Sequence, residues 1–144
     1  MSDNVAETIP RDLVIKLQHT VCSCACPEYS LSIHGDGRVI FKGKRYVFSK
    51  GKHEIRISVQ SVKLLLEEIY KADFFSLKEK YDPIVKGGFV IKLSIHMDGK
   101  IKEVINCFPS QAPESVYELE DVIKDLTGSK QFILGRSGQP VLKP

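Results

Sequence analysis

Short runs of alternating apolar and polar residues, bounded by glycine turns, constrain the fold of this chain most strongly. The clearest run covers residues 89–95, where Phe, Ile, Leu and Ile occupy every second position before Asp98-Gly99. A period of two is typical of a strand with one buried face, and Asp-Gly favours a two-residue hairpin. Similar runs predict an antiparallel meander sheet of about six to eight strands. They begin at Leu13, Tyr29, Val39, Tyr46, Ile55 and Ile101.

Two other stretches carry apolar residues at helical spacing. The first follows Ser58, a good N-cap, and should end near Ala72. The second begins around Pro113 and should end at Gly128. We therefore predict an α+β fold with two helices packed on one face of the sheet. Residues 78–83 are predicted to form a loop, and residues 131–134 a short last strand.

Length and composition fit one domain, because a chain of 144 residues with 42% hydrophobic residues can bury a core without metal or disulfides. We predict a disordered segment over residues 1–12, a single domain over residues 13–134 and a flexible tail over residues 135–144. The first segment lacks the features of a secretory signal, and no run reaches the roughly 18 apolar residues of a membrane span. We therefore expect a cytoplasmic protein that does not contact a membrane.

Three cysteines within five residues, Cys22, Cys24 and Cys26, form the main candidate for chemistry. In an extended segment all three sulfurs would lie on one side, and thiolates prefer zinc, Cu(I) or iron–sulfur centres. Cys107 or His19 could supply a fourth ligand. The spacing differs from that of ordinary structural zinc sites, where two to four residues separate paired cysteines.

The cysteines leave three interpretations open. They are ligands for zinc or copper, a redox-active thiol group, or residues kept for packing. A Cys22–Cys26 disulfide is compatible with a curled loop, although it would stabilise the fold by only about 2 kcal/mol. A reducing cytoplasm does not favour such a bond.

Basic residues concentrate in the predicted hairpins over residues 38–56, where Glu54 is the single acid. Such a local excess of positive charge attracts acidic partners, although lysine and arginine also protect the edges of sheets from aggregation. We do not expect nucleic acid as the partner, because the aromatic residues of this stretch, Tyr46 and Phe48, are predicted to point into the core. The candidate partner-binding residues are Arg38, Lys42, Lys44, Arg45, Lys50, Lys52 and Arg56.

One internal similarity links the two predicted Asp-Gly hairpins, because residues 31–37 and 93–99 match at six of seven positions. Duplication of a strand–strand–helix unit would explain the match, and so would convergence on the same turn chemistry, which we favour. His34 and His96 fall on the polar faces of their strands and could meet if the hairpins are neighbours. No phosphate-binding loop or nucleophilic serine motif occurs, so we identify no catalytic residues.

The cysteine loop resembles an uncharacterised bacterial family of small α+β domains, whose pattern is Cys-x-x-x-Cys-Pro-x-Tyr followed by a strand and an Asp-Gly hairpin. The matching residues here are Cys22, Cys26, Pro27, Tyr29 and Asp36-Gly37. The similarity continues through residues 72–77 to residues 119–121. Cys24 replaces a residue that is usually Gly in that family. The resemblance supports the fold and implies no activity.

The sequence therefore predicts a small domain of unknown function that is a non-catalytic binding or interaction module. Its partner is not identified, and a protein is one candidate. One alternative is a thiolate metal-binding or redox protein that uses the cysteines. The other is binding of nucleic acid or another acidic partner through the basic hairpins.

Overall fold

The structure, a computed structural model, describes residues 9–21, 26–85 and 88–134. The strands are β1 (Val14–Val21), β2 (Glu28–His34), β3 (Arg38–Arg45), β4 (Gly51–Arg56), β5 (Lys80–Tyr81), β6 (Phe89–Met97) and β7 (Lys100–Cys107). The helices are α1 (Val59–Lys71), α2 (Glu114–Thr127) and α3 (Lys130–Ile133). Residues 1–8 of the segment predicted to be disordered over residues 1–12, and the predicted flexible tail at residues 135–144, lie outside the described residues.

The seven strands form one sheet in the order β4-β3-β2-β1-β6-β7-β5. Every neighbouring pair is antiparallel except β5 and β7, which are parallel. The α+β class and the strand number are confirmed, but the prediction of a pure meander is wrong. The chain builds outward from β1 to the edge strand β4 and crosses through α1 to the opposite edge. It then returns through β6, which pairs with the free side of β1.

Alternation along the strands separates an inner face from an outer face. On β1, Ile15 and Leu17 are buried, whereas Lys16 and Gln18, which alternate with them, are exposed. The buried residues of α1 and α2 belong to the same hydrophobic cluster as the inner-face residues. Burial of each large apolar side chain contributes about 1.5–3 kcal/mol, so this cluster determines the inward face of every strand.

The helix ends follow from local chemistry. Ser58 accepts a hydrogen bond from the Ser61 backbone N–H at 3.0 Å, which confirms it as the N-cap of α1. Gly128 adopts a left-handed conformation with φ of 71° and ends α2, as predicted. The last strand predicted over residues 131–134 is wrong, because these residues form α3 and a following bend. Its Phe132 ring packs against the Phe41 ring, with centroids 5.1 Å apart.

The two similar hairpins have different turns. The β2–β3 connection is a three-residue loop that ends in Gly37, with φ of 93°. The β6–β7 connection has two residues, and both Asp98 and Gly99 have positive φ, 52° and 75°. Positive φ at both central residues is typical of a type I′ turn, as the Asp-Gly pair predicts. Gly35 in one copy and Met97 in the other occupy the position at which the two loops diverge.

The hairpins are also not superposable. Both β2 and β6 run antiparallel to β1 and bury the same alternate positions, but β3 and β7 lie on opposite sides of them. A rotation that superposes β2 on β6 places β3 on the position of β1 and not of β7. This opposite handedness favours convergence of two turns over duplication of one unit.

Candidate functional site

Of the four cysteines, the structure describes Cys26 and Cys107, whereas Cys22 and Cys24 lie outside the described residues. Cys26 is disulfide-bonded, and Cys107 is a free thiol at the end of β7. In the described ranges, no group of three His, Cys, Asp or Glu side chains is arranged to hold a metal ion. A disulfide sulfur is not a thiolate, so Cys26 must be reduced before it can bind a metal.

His19, the other candidate ligand, is buried on the inner face. Its Nδ1 N–H donates a hydrogen bond to the Pro27 carbonyl oxygen at 2.5 Å, and its ring stacks between the rings of Tyr29 and Phe89. Burial lowers the pKa of His19 from 6.5 to about 4, opposed by the hydrogen bond to Pro27. The side chain is therefore a neutral packing element that holds the end of β1 against the start of β2.

The seven predicted partner-binding residues do not form one patch. Lys44 forms an ion pair with Glu28 at 3.4 Å, and the Arg45 guanidinium lies 5.5 Å from the centroid of the Tyr46 ring. Lys50 lies beyond the end of β3, and its carbonyl oxygen lies 3.2 Å from His53 Nε2. These three residues therefore lie at one end of the hairpin, close to other side chains or to the turn.

The other four partner-binding residues form two cross-strand pairs on β3 and β4. Lys42 is directly opposite Lys52, and Arg38 is directly opposite Arg56. Like charges directly opposite each other are destabilising. The Arg38–Arg56 pair lies beside Asp36, whose backbone oxygen accepts a hydrogen bond from Arg56 Nη1 at 3.2 Å. Among the described residues, no ion pair engages Lys42 or Lys52, so this pair favours an acidic group from outside the sheet. In the described part of the chain, the Nε atom of Arg38 is the one buried side-chain nitrogen or oxygen without a hydrogen-bond partner.

The Lys42–Lys52 pair continues into a row that crosses the outer face of the sheet. The register places Lys42 opposite Ser30, Ser30 opposite Gln18, and Gln18 opposite Lys92. Lys92 is opposite Ile105, which is paired with Lys80 on the far edge strand. We name the residues Lys52, Lys42, Ser30, Gln18 and Lys92 the basic row. The row contains no acidic residue.

The neighbouring outer-face row has a different charge pattern. It begins with Glu54 on β4 and ends with Glu103 on β7, and Lys16 lies on β1 between them. The remaining members of this row are Ile40, Ser32 and Ser94. The basic row is therefore an acid-free band beside a row with an acid near each end.

Two shallow cavities meet along the basic row. One, of about 380 Å³, is lined by Lys16, Ser32 and Lys52, among others. The other, of about 360 Å³, is lined by Thr20, Glu28 and Lys44, among others. Both are also lined by Gln18, Ser30 and Lys42. The two cavities thus form one shallow groove on the outer face, centred on the middle of the basic row.

Among the described residues, the side chains of the basic row have no internal partners. In the portion of the chain that the structure describes, no ion pair or side-chain hydrogen bond engages Lys52, Lys42, Ser30, Gln18 or Lys92. Their ammonium, amide and hydroxyl groups together provide hydrogen-bond donors in a line across five strands. This arrangement can bind an extended acidic ligand.

Aromatic side chains of the strands face the other way. Tyr29, Phe41 and Phe89 form a series of stacked rings on the inner face together with His19. The prediction that Tyr46 and Phe48 point into the core is wrong for Phe48, whose side chain is 47% exposed in the bend after β3. The buried residue of that bend is Val47. The outer-face groove therefore lacks the stacking platform that single-stranded nucleic acid uses.

The two histidines of the similar hairpins do not meet. Both His34 and His96 are opposite Val14, one on each side of β1. Two strand spacings separate them, about 10 Å. His96 Nε2 instead lies 3.4 Å from a carboxylate oxygen of Asp12, which also accepts hydrogen bonds from the backbone N–H groups of Asp98 and Gly99. Each histidine precedes the turn of its own hairpin, and the two form no shared site.

A buried polar cluster, which the sequence did not predict, joins α2 to β7. Asn106 is fully buried and donates to Glu120 at 3.5 Å, while its side-chain oxygen accepts a hydrogen bond from Ser110 at 2.6 Å. Burial raises the pKa of Glu120 from 4.5 to about 7, opposed by Asn106 and by the charge of Lys124. Burial also lowers the pKa of Lys124. This carboxyl lines neither of the two groove cavities, so the cluster is part of the core.

Sequence reasoning found Lys42 and Lys52 but missed Gln18, Ser30 and Lys92. Alternation alone assigns each of them to the outer face of its strand. Their common row depends on the pairing of β1 with both β2 and β6, which no local pattern specifies.

These observations define a small α+β domain with a buried polar cluster on one side of its sheet and the basic row on the other. A sequence profile described as a domain of unknown function (DUF6438) matches residues 13–127. The chain therefore belongs to the DUF6438 family. This agrees with the resemblance to a family of unknown function and adds no activity. No curated protein is significantly similar to the chain. In the described ranges, no helix is long and apolar enough to cross a membrane.

Proposed function

We propose that this domain is a non-catalytic binding module whose outer sheet face binds an acidic segment of a protein partner. The observation that carries the proposal is the basic row, in which donors from five strands line a groove whose one acid among the described lining residues, Glu28, is paired with Lys44. Charge complementarity favours an acidic partner. The lack of outward aromatic rings on the strands makes a protein segment a better fit than nucleic acid.

The energetics are those of a modest, electrostatically guided interaction. Each exposed ion pair contributes about 0.2–1 kcal/mol, so several lysines acting together support weak, salt-sensitive binding. Such binding suits a transient partner. Salt would weaken it by screening the lysine charges.

A fluorescent hexaglutamate peptide tests the proposal with two charge-reversal variants. Lys42→Glu reverses a charge that lines both cavities of the groove, and we expect it to weaken binding by about tenfold. Lys100→Glu is the matched control, because it changes the net charge by the same amount at the exposed end of β7. Lys100 is five residues away along β7 from Ile105, the neighbour of Lys92, and thus lies farther from the row than the Debye length of about 10 Å at moderate salt. We expect a change of less than about twofold.

Fluorescence anisotropy at low and moderate salt measures both effects, with circular dichroism to confirm that the variants are folded. Equal weakening by Lys42→Glu and Lys100→Glu would show attraction to net charge and would contradict a binding face. Tighter binding of a single-stranded oligonucleotide than of hexaglutamate would contradict the choice of a protein partner.

A thiol function is the second candidate, and the disulfide bond of Cys26 favours it. Exchange at this bond would alter the loop that precedes β2, where Pro27 accepts the hydrogen bond from His19. In the reduced state, Cys22, Cys24 and Cys26, with Cys107, would be candidate ligands for zinc or copper. Metal affinity would then fall as pH falls, because thiolates become protonated.

Native mass spectrometry under reducing conditions, with and without added zinc or Cu(I), tests this candidate. We expect a metal adduct that Cys24→Ser weakens. If Cys107→Ser also weakens it, four cysteines bind the metal, and if Cys107→Ser has no effect, three cysteines do. A mass equal to the bare polypeptide at every metal concentration would reject the metal form of the proposal. The redox form would be rejected if the Cys26 disulfide resisted reduction by millimolar glutathione.

A further inference from the structure

The charge pattern of the basic row specifies more than an acidic partner. Positive charge is concentrated at its ends, with Lys52 and Lys42 on the outer two strands and Lys92 on β6. Between them lie two neutral side chains, Ser30 and Gln18. A ligand that lies along the row therefore meets cations at both ends and neutral hydrogen-bonding groups in the middle.

The length of the row follows from the sheet geometry. Neighbouring strands are about 4.8 Å apart, so four spacings separate Lys52 from Lys92 by about 19 Å. An extended peptide advances about 3.3 Å per residue, so about six residues span this distance. A single small anion would reach one end of the row only.

The neighbouring row sets the direction of the ligand. Glu54 and Glu103 lie close to the two ends of the basic row and repel an acidic chain that moves off it. A peptide parallel to the strands would cross both rows and meet these mixed charges. A peptide perpendicular to the strands stays on the acid-free band.

We infer that the outer face binds an extended protein segment of about six residues that crosses the strands, with acidic side chains at both ends and neutral polar residues between them. This inference rests on the proposed function, which requires only that the face binds an acidic segment. It adds the direction of the segment and the spacing of its acids.

Two capped peptides of identical composition test the inference. The first, Glu-Glu-Ser-Gly-Ser-Glu, has acids at both ends, and the second, Ser-Gly-Glu-Glu-Glu-Ser, has them in the centre. We expect the first peptide to bind at least threefold more tightly, because two separate lysine positions contribute. Lys92→Gln should remove most of this preference, whereas the control Lys100→Gln should preserve it. In a ¹⁵N-labelled sample, the amide signals of residues 18, 30, 42, 52 and 92 should shift together.

The possible outcomes separate the inference from the proposed function. Equal affinity for the two peptides, with both weakened by Lys42→Gln, would overturn the cross-strand arrangement and leave the binding face intact. A loss of preference in Lys92→Gln but not in Lys100→Gln would support the inference. No binding of either peptide, or equal loss in Lys42→Gln and Lys100→Gln, would overturn the binding face itself. Circular dichroism of each variant ensures that a loss of binding does not reflect unfolding.

Discussion

The two faces of the sheet differ in whether their polar side chains are buried or exposed. The inner face buries His19 and Asn106, and Glu120 of α2 is only 4% exposed beside Asn106. The outer face exposes Lys16, Lys42 and other charged groups to solvent. Burial shifts the pKa of both His19 and Glu120 toward the neutral form. The inner polar groups therefore control the stability of the fold, whereas the outer ones remain available for a partner.

Two adjacent residues on β3 test this difference between the two faces most directly. Phe41 is fully buried and contacts three aromatic neighbours, whereas Lys42 faces the groove. We expect Phe41→Ala to reduce the free energy of unfolding by about 3–5 kcal/mol and Lys42→Ala to change it by less than about 0.5 kcal/mol. Urea denaturation measures both. Comparable losses in the two variants would mean that the outer face is part of the core.

Much of this division was predictable from sequence alone. Alternation assigned Leu31 and Ile33 inward and Ser30 and Ser32 outward, because a half-buried strand requires a period of two. Ser58 and Gly128 marked helix ends through local capping chemistry. These features depend on residues close together in the chain.

The remaining features depend on contacts between distant segments. The pairing of β1 with β6 is one, and the burial of Glu120 against Asn106 is another. The short helix α3 is a third, because Phe132 packs against Phe41 and Ile133 is buried in the core, although residues 131–134 also fit a strand pattern. Local propensity cannot assign such elements, since tertiary packing decides between the alternatives.

Removal of the buried carboxyl of Glu120 should change the way in which stability depends on pH. The folded state raises the pKa of Glu120 from 4.5 to about 7, so its stabilising contribution is present below pH 4.5 and is lost as pH rises to about 7. His19 has the opposite dependence between pH 4 and 6.5. The two dependences oppose each other in the wild type. In Glu120→Gln only the pH dependence of His19 remains, so we expect the free energy of unfolding to rise by about 3 kcal/mol between pH 4 and 6.5.

Urea denaturation at half-unit pH intervals measures this change, with Glu118→Gln on the exposed side of α2 as the matched control. The control should keep the shallow wild-type profile. A wild-type profile as steep as that of Glu120→Gln would show that folding does not raise the pKa of Glu120 and would contradict its neutral state, whereas a shallow profile in the variant would contradict the lowered pKa of His19.

The converse substitution, His19→Phe, preserves the stacking with Tyr29 and removes the titrating ring. The folded state lowers the pKa of His19 from 6.5 to about 4, so its contribution is present above pH 6.5 and lost as pH falls to 4. In His19→Phe only the pH dependence of Glu120 remains, so the free energy of unfolding should fall by up to about 3 kcal/mol as pH rises from 4.5 to 7. The same denaturation series tests it, and a profile that rises with pH would refute the assignment.

The smallest expected effect on stability concerns Lys52 on the outer face, where one substitution should raise stability and weaken binding. Lys42 and Lys52 are directly opposite, and like charges in that arrangement are destabilising. Lys52→Glu replaces the repulsion with an attractive pair, so we expect a gain in stability of about 0.2–1 kcal/mol. The same change should weaken binding of the end-charged peptide, because it puts an acid at one end of the basic row. Denaturation and peptide titration of one preparation measure both quantities. A gain in stability without loss of peptide binding would show that β4 is not part of the binding face. A gain in stability together with weaker peptide binding would show that the lysine pair lowers stability but contributes to binding.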